Sequence, residues 1–127
     1  MITPAKQSVL IVEDDVELCN SVITILHKSG FSTQGSTDIR DATLRMQNQK
    51  YSCLIFDMHI GSDSGTELVE YARSNPKFPN YETPILVISG FLDKDLVATL
   101  AGKIQGALVK PFDLKSLIEL IKKVAKT

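Results

Sequence analysis

Three short apolar runs punctuate the chain, each closed at once by a polar residue. They are Val9-Leu10-Ile11-Val12 before Glu13-Asp14-Asp15, Cys53-Leu54-Ile55-Phe56 before Asp57, and Ile85-Leu86-Val87-Ile88 before Ser89. Continuous runs rich in β-branched residues suit strands buried on both faces, as in a parallel sheet covered by helices. Two weaker stretches complete the set: Phe31 to Gly35, which follows a helix stop at Gly30, and Ala107 to Val109, which precedes Lys110-Pro111.

Between the runs the spacing of apolar residues becomes helical. Asp15 to Lys28 carries Val16, Cys19, Val22, Ile23 and Leu26 on one face, and Ile39 to Gln47 carries Ala42 and Met46, with Thr37 or Asp38 as its N-cap. Thr66 to Ser74 offers Leu68, Tyr71 and Ala72, and Leu92 to Leu100 offers Leu96, Val97 and Leu100. Asp113 caps a last helix with the stripe Leu114, Leu117, Ile118, Ile121 and Val124; Lys122, Lys123 and Lys126 lie toward its end, where the helix dipole favours cations. Five β-α units in succession predict an α/β sandwich with right-handed crossovers. The breaker-rich segment Asn75 to Pro84, with three of the five prolines, reads as a loop into the fourth strand.

Composition narrows the picture. With 127 residues, 43% hydrophobic and 23% charged, the expectation is one domain over residues 1–127, its core from about 8 to 124. Fourteen Lys+Arg against fifteen Asp+Glu give a formal charge of −1, so no global positive field draws the chain to nucleic acid or anionic lipid. The longest apolar runs fall far short of the ~20 residues that cross a bilayer, and no charged-then-apolar leader opens the chain. The expectation is a soluble, cytoplasmic protein. Cys19 and Cys53 lack metal or redox spacing and read as two buried free thiols.

In open parallel sheets the ligand site lies outside the carboxyl ends of the strands, where strand order reverses. The residues closing the runs are therefore informative: Asp14 and Asp15, Asp57, Ser89 and Lys110. Three carboxylates in one place repel, so either one holds a proton or a cation sits among them, and Mg²⁺ suits so sparse an oxygen set. Asp14 and Asp15 also read, more plainly, as an N-cap and a first-turn acid; Asp57, at the end of a core run, has no such account. A carboxylate beside a cation and a lysine can attack phosphorus and become an acyl phosphate, with Lys110 neutralising the phosphoryl oxygens and the Ser89 hydroxyl bonding one of them.

The acidic residues of Val12-Glu13-Asp14-Asp15, the strand ending in Asp57, Ser89 after Ile85 to Ile88, and Lys110-Pro111-Phe112 together resemble the receiver domain of two-component response regulators, from about Ser8 to Val124. The resemblance implies a doubly wound, flavodoxin-like fold with five parallel strands in the order 2-1-3-4-5 and five helices. It implies Mg²⁺ (or Mn²⁺) dependence and a phosphoryl group received from a histidine kinase or phosphotransfer protein. By position, Asp57 is the phosphoacceptor, Asp15 and Asp57 ligate the metal, the His59 backbone carbonyl is a third ligand, and Asp14 acts through water. Ser89 and Lys110 match the residues that contact the phosphoryl group, and a cis peptide is implied before Pro111. The implied output is a protein-protein contact with a downstream target, by a monomer or a phosphorylation-dependent dimer, with no enzymatic turnover beyond self-catalysed phosphotransfer and autodephosphorylation.

The chain departs from the family pattern at Ala107, three residues before the lysine, where receivers usually carry an aromatic that changes rotamer. Any signal is therefore expected to leave by rearrangement of Gly90 to Asp95. Gly61 stands where many receivers have proline, which suggests a mobile loop after Asp57, and His59 and Phe91 flank the site as candidates for tuning the acyl-phosphate lifetime. A phosphohydrolase similar to the haloacid dehalogenases would need an acid where His59 stands. A flavin-binding module would want a Ser/Thr/Gly-rich loop where Glu13-Asp14-Asp15 stands. The alternative left open is a receiver-like binding module that works without phosphorylation.

Overall fold

The computed structural model describes residues 6–125, in which twelve elements follow one another. They are β1 (Ser8–Val12), α1 (Val16–Lys28), β2 (Ser32–Ser36), α2 (Ile39–Asn48), β3 (Cys53–Asp57), β4 (His59–Ile60), β5 (Asp63–Ser64), α3 (Thr66–Ala72), β6 (Ile85–Ser89), α4 (Lys94–Leu100), β7 (Gly106–Val109) and α5 (Leu114–Val124). Each predicted run is a strand to within a residue. β2, β1, β3, β6 and β7 form one sheet in that order with every pair parallel, which is the expected 2-1-3-4-5 order once the small antiparallel hairpin β4-β5 is set aside. Lys126, expected in the last helix, lies outside the described residues.

Successive residues of a strand face opposite sides of the sheet, and here both sides are apolar. Leu10, Val12, Leu54, Phe56, Ile85 and Val87 pack with Ala42 and Met46 of α2, Leu68, Val69 and Ala72 of α3, and Leu100 of α4. Val9, Ile11, Ile55, Leu86 and Ile88 pack on the other face with Cys19, Val22 and Leu26 of α1 and Leu117 and Ile121 of α5. Burial of each Val, Leu, Ile, Phe or Met side chain among these contributes roughly 1.5–3 kcal/mol. Cys19 and Cys53 are free and buried, as expected, and burial pushes the Cys53 thiol up to about 12. Two residues expected inside are not: Val16, in the first turn of α1 beyond the end of the sheet, is 57% exposed, and Val97 of α4 is 53% exposed.

The connection before β6 is held by polar groups rather than apolar ones. Asn80 is buried; its Nδ2 donates to the carbonyls of Met46 (2.8 Å) and Gln49 (2.9 Å), and its Oδ1 accepts from the Tyr51 amide (2.9 Å) and the Thr83 hydroxyl (3.0 Å). Arg73, just past α3, donates to the carbonyls of Asn80, Tyr81, Thr83 and Lys103 and to the Gln105 side chain. These bonds fix the ends of the strands opposite the acidic rim. Among the described residues no helix is long and apolar enough to cross a membrane.

Candidate functional site

β1 ends at Val12, yet the Glu13 amide still donates to the Ser36 carbonyl (3.0 Å), so the chain stays extended for one residue more. That step turns the Glu13 side chain inward, where it is 1% exposed. Asp14 then leaves the sheet at the surface, and Asp15 adopts the extended backbone of an N-cap, its carboxylate accepting from the Leu18 amide (3.1 Å). Asp57 closes β3, 3% exposed, on the same face of the sheet as Ile55. Lys110 follows β7, and its Pro111 peptide bond is cis.

The Lys110 ammonium lies 2.7 Å from Glu13 Oε1 and 3.0 Å from Asp57 Oδ2. Asp57 Oδ1 accepts from the His59 amide (3.1 Å), and Asp14 Oδ2 accepts from the Gly61 amide (2.8 Å). One carboxylate oxygen from each of Glu13, Asp14 and Asp57 falls within 4.8 Å of the others. The cluster is therefore one residue earlier than expected. Asp15, expected as a metal ligand, points into its own helix as a cap, and Asp14, expected to act mainly through water, belongs to the cluster itself. Glu13, passed over in the sequence, is the third acid. Its signal was present: an acid that fits the N-cap position immediately before a helical period is already committed, which leaves the two acids before it for the rim.

Electrostatics follow from this crowding. Burial, reinforced by the neighbouring Asp57, pushes Glu13 from 4.5 up to about 7 against the pull of Lys110. Burial also raises Asp57, but the neighbouring Glu13 carboxyl and the hydrogen bonds from the His59 amide and Lys110 outweigh it and hold the carboxyl below the usual range. Lys110, which burial would lower, is raised by the same two carboxylates. Metal-free folded protein thus keeps a proton on Glu13 that the unfolded chain releases, so stability falls as pH rises from 4.5 toward 7, by at most about 3 kcal/mol. Asp57 works in the opposite sense, its contribution being lost as pH falls through its lowered pKa. Urea midpoints measured in a chelator between pH 5 and 8 should show this decline, and Glu13→Gln should flatten it.

A cation fits the donor set: Glu13 Oε2 is buried with no hydrogen-bond partner, and three carboxylate oxygens converge around one point. The loop after Asp57 is folded as the β4-β5 hairpin, with Gly61 at its turn tethered to Asp14. Gly65 fits beneath it because a Cβ there would lie 2.1 Å from the Asp57 carbonyl oxygen. Ser89 is 1% exposed, and its hydroxyl does not bond Asp57; it donates to the Phe91 carbonyl (2.7 Å) and accepts from the Phe91 amide (3.2 Å). The His59 side chain is exposed, its backbone amide being the part bound to Asp57.

The family model of the response regulator receiver domain matches residues 9–122. The chain belongs to this family. As a receiver it is 25% identical over 114 residues to the regulatory protein VanRB of Enterococcus faecalis, covering 89% of this chain and 50% of that protein. It is 27% identical over 119 residues to the response regulator ArlR of Staphylococcus aureus (93% and 52%) and 31% identical over 117 residues to the transcription factor SKN7 of Saccharomyces cerevisiae (87% and 18%). The receiver thus spans about half the length, or less, of these curated relatives. Among solved structures it superposes on the chemotaxis protein CheY4 of Vibrio cholerae with a TM-score of 0.86 at 25% identity, covering 94% of this chain and 99% of that one. A response regulator from Thermotoga maritima gives 0.79 at 26% (94% and 98%). The fold and family expected from the residues therefore hold: this receiver is a signalling domain of two-component systems.

Proposed function

We propose that Asp57 is the phosphoacceptor of this receiver and that Glu13, Asp14 and Asp57, with the His59 carbonyl, hold a Mg²⁺ or Mn²⁺ ion. The observation that carries the reading is the lysine bound at once to Glu13 and Asp57, beside a buried carboxylate oxygen that has no partner. The donor is a phosphohistidine of a histidine kinase or phosphotransfer protein. An Asp57 carboxylate oxygen forms the new O–P bond as the P–N bond breaks, and the electron pair leaves with the imidazole nitrogen, which takes up a proton. The bound cation supplies positive charge for the phosphoryl oxygens and offsets the repulsion among the carboxylates. Lys110, already at bonding distance, follows charge from the carboxylate onto the phosphoryl group, and Ser89 donates to it once its hydroxyl lets go of Phe91. Water later cleaves the acyl phosphate at the same site without an added enzyme.

On this reading the chain acts as one domain, with elements running from Ser8 to Val124, in the cytoplasm. It signals by binding a downstream protein, as a monomer or a phosphorylation-dependent dimer. Intact mass after incubation with Mg²⁺ and acetyl phosphate tests the proposal. The expected result is a labile gain of one phosphoryl group, absent in Asp57→Asn. No gain with small donors or with a phosphorylated histidine protein would instead favour a binding module that works without phosphorylation.

A further inference from the structure

Between α4 and β7 lies an apolar pocket of about 290 Å³, lined by Val87, Leu92, Val97, Leu100, Ile104 and Ala107. Ala107 sits opposite Val87 in the β6-β7 register, and its single methyl leaves the space open above the strand. An apolar cavity of roughly 150 Å³ already accepts a benzene ring. Phe91 directly precedes Leu92, a lining residue, and at 72% has the greatest exposure of the large apolar side chains described. Leu92 lines the pocket, while the Phe91 side chain is exposed to water.

The backbone of Phe91 is bound by Ser89. One hydroxyl binds both main-chain polar groups of Phe91, accepting from its amide and donating to its carbonyl. Between the two lies Gly90, where a Cβ would meet nothing within 4 Å, so the backbone there has both the space and the torsional freedom to change. We propose that the pocket is the receptor for the ring of Phe91 itself, and that the Ser89 hydroxyl is the latch that keeps the ring out. The inference rests on Asp57 being the phosphoacceptor: when the hydroxyl turns to a phosphoryl oxygen, both bonds to Phe91 are lost, Gly90 pivots, and the ring enters over Ala107. Two discrete arrangements of one short loop then translate an event at Asp57 into the filling of a cavity on the α4-β7 face. The ring comes from the loop after β6, in the place that an aromatic on β7 would otherwise occupy.

The chain has no tryptophan, so Phe91→Trp gives a single indole reporter at this position. With Mg²⁺ and acetyl phosphate, and the mass gain read on the same sample, emission should move to shorter wavelength and acrylamide quenching should fall several-fold. Adding Ala107→Phe, which fills the pocket, should leave the mass gain intact and the indole exposed. A mass gain without the emission shift, or a shift that survives Ala107→Phe, overturns the inference while leaving the phosphoacceptor reading standing. Absence of any mass gain counts against that reading alone. Ser89→Ala in the unphosphorylated reporter then decides the latch: a shift to shorter wavelength supports it, and unchanged emission sinks it.

Discussion

On the proposed chemistry, Lys110→Met is expected to slow phosphorylation of Asp57 by about 10²–10³-fold while the chain still folds, because it removes one preorganised positive donor from the place where phosphoryl charge would accumulate. Methionine keeps most of the lysine stem, and the site for Lys110 is only partly enclosed, so little packing is lost. The electrostatic loss is larger. The ammonium is shared between Glu13 and Asp57, and without it two neighbouring buried carboxyls face each other with no cation from the chain. Glu13 would then hold its proton to still higher pH, and Asp57 would lose one of the two hydrogen bonds that keep it ionised. Initial rates of mass gain with acetyl phosphate at fixed Mg²⁺ measure the effect. A Lys110→Met chain phosphorylated as fast as the parent would remove the lysine from the proposed chemistry.

Asn80→Ala is expected to lower stability by about 3–5 kcal/mol, an effect as large as that of emptying a core position. Alanine leaves the buried Tyr51 amide and Met46 carbonyl without partners, at about 1–3 kcal/mol each, and frees the partly buried Gln49 carbonyl as well. Thr83 is spared, since its hydroxyl also bonds the Tyr51 carbonyl. Asn80→Asp does no better, because it turns the two-hydrogen donor Nδ2 into an oxygen aimed at two carbonyls. Urea unfolding followed by circular dichroism reads the loss as a lower midpoint at unchanged slope. A midpoint within experimental error of the parent would mean that water takes over all three partners.

The two polar centres differ in how far the sequence disclosed them. Asp57, Ser89 and Lys110 were legible because each closes an apolar run, and the end of a buried parallel strand is a position that topology alone marks. The acidic trio was legible as a group but not in register. Which of Glu13, Asp14 and Asp15 reaches the rim depends on where the extended chain gives way to the helix, a one-residue question settled by the Glu13 amide staying on the sheet and Asp15 turning to cap α1. Asn80 and Arg73 left no local trace. Asn80 reads as one more polar residue in a proline-rich loop until chain topology brings it to carbonyls 31 and 34 residues away. Ala107 showed as a departure, but the pocket beside it depended on how α4 sits, and no pattern of apolar spacing reports that.

The stitching by Arg73 and Asn80 gives the sheet the mechanics of a cantilever. Arg73 and Asn80 clamp the segments that enter β3, β6 and β7, and the Gln105 side chain, itself bonded to Arg73, also accepts the Ile85 amide. At the opposite tips, mutually repelling carboxylates, one lysine and a glycine-containing loop carry the load. On the proposed reading, charge bound at the free end is therefore expected to rotate the loops at the tip while the clamped strand ends keep their places.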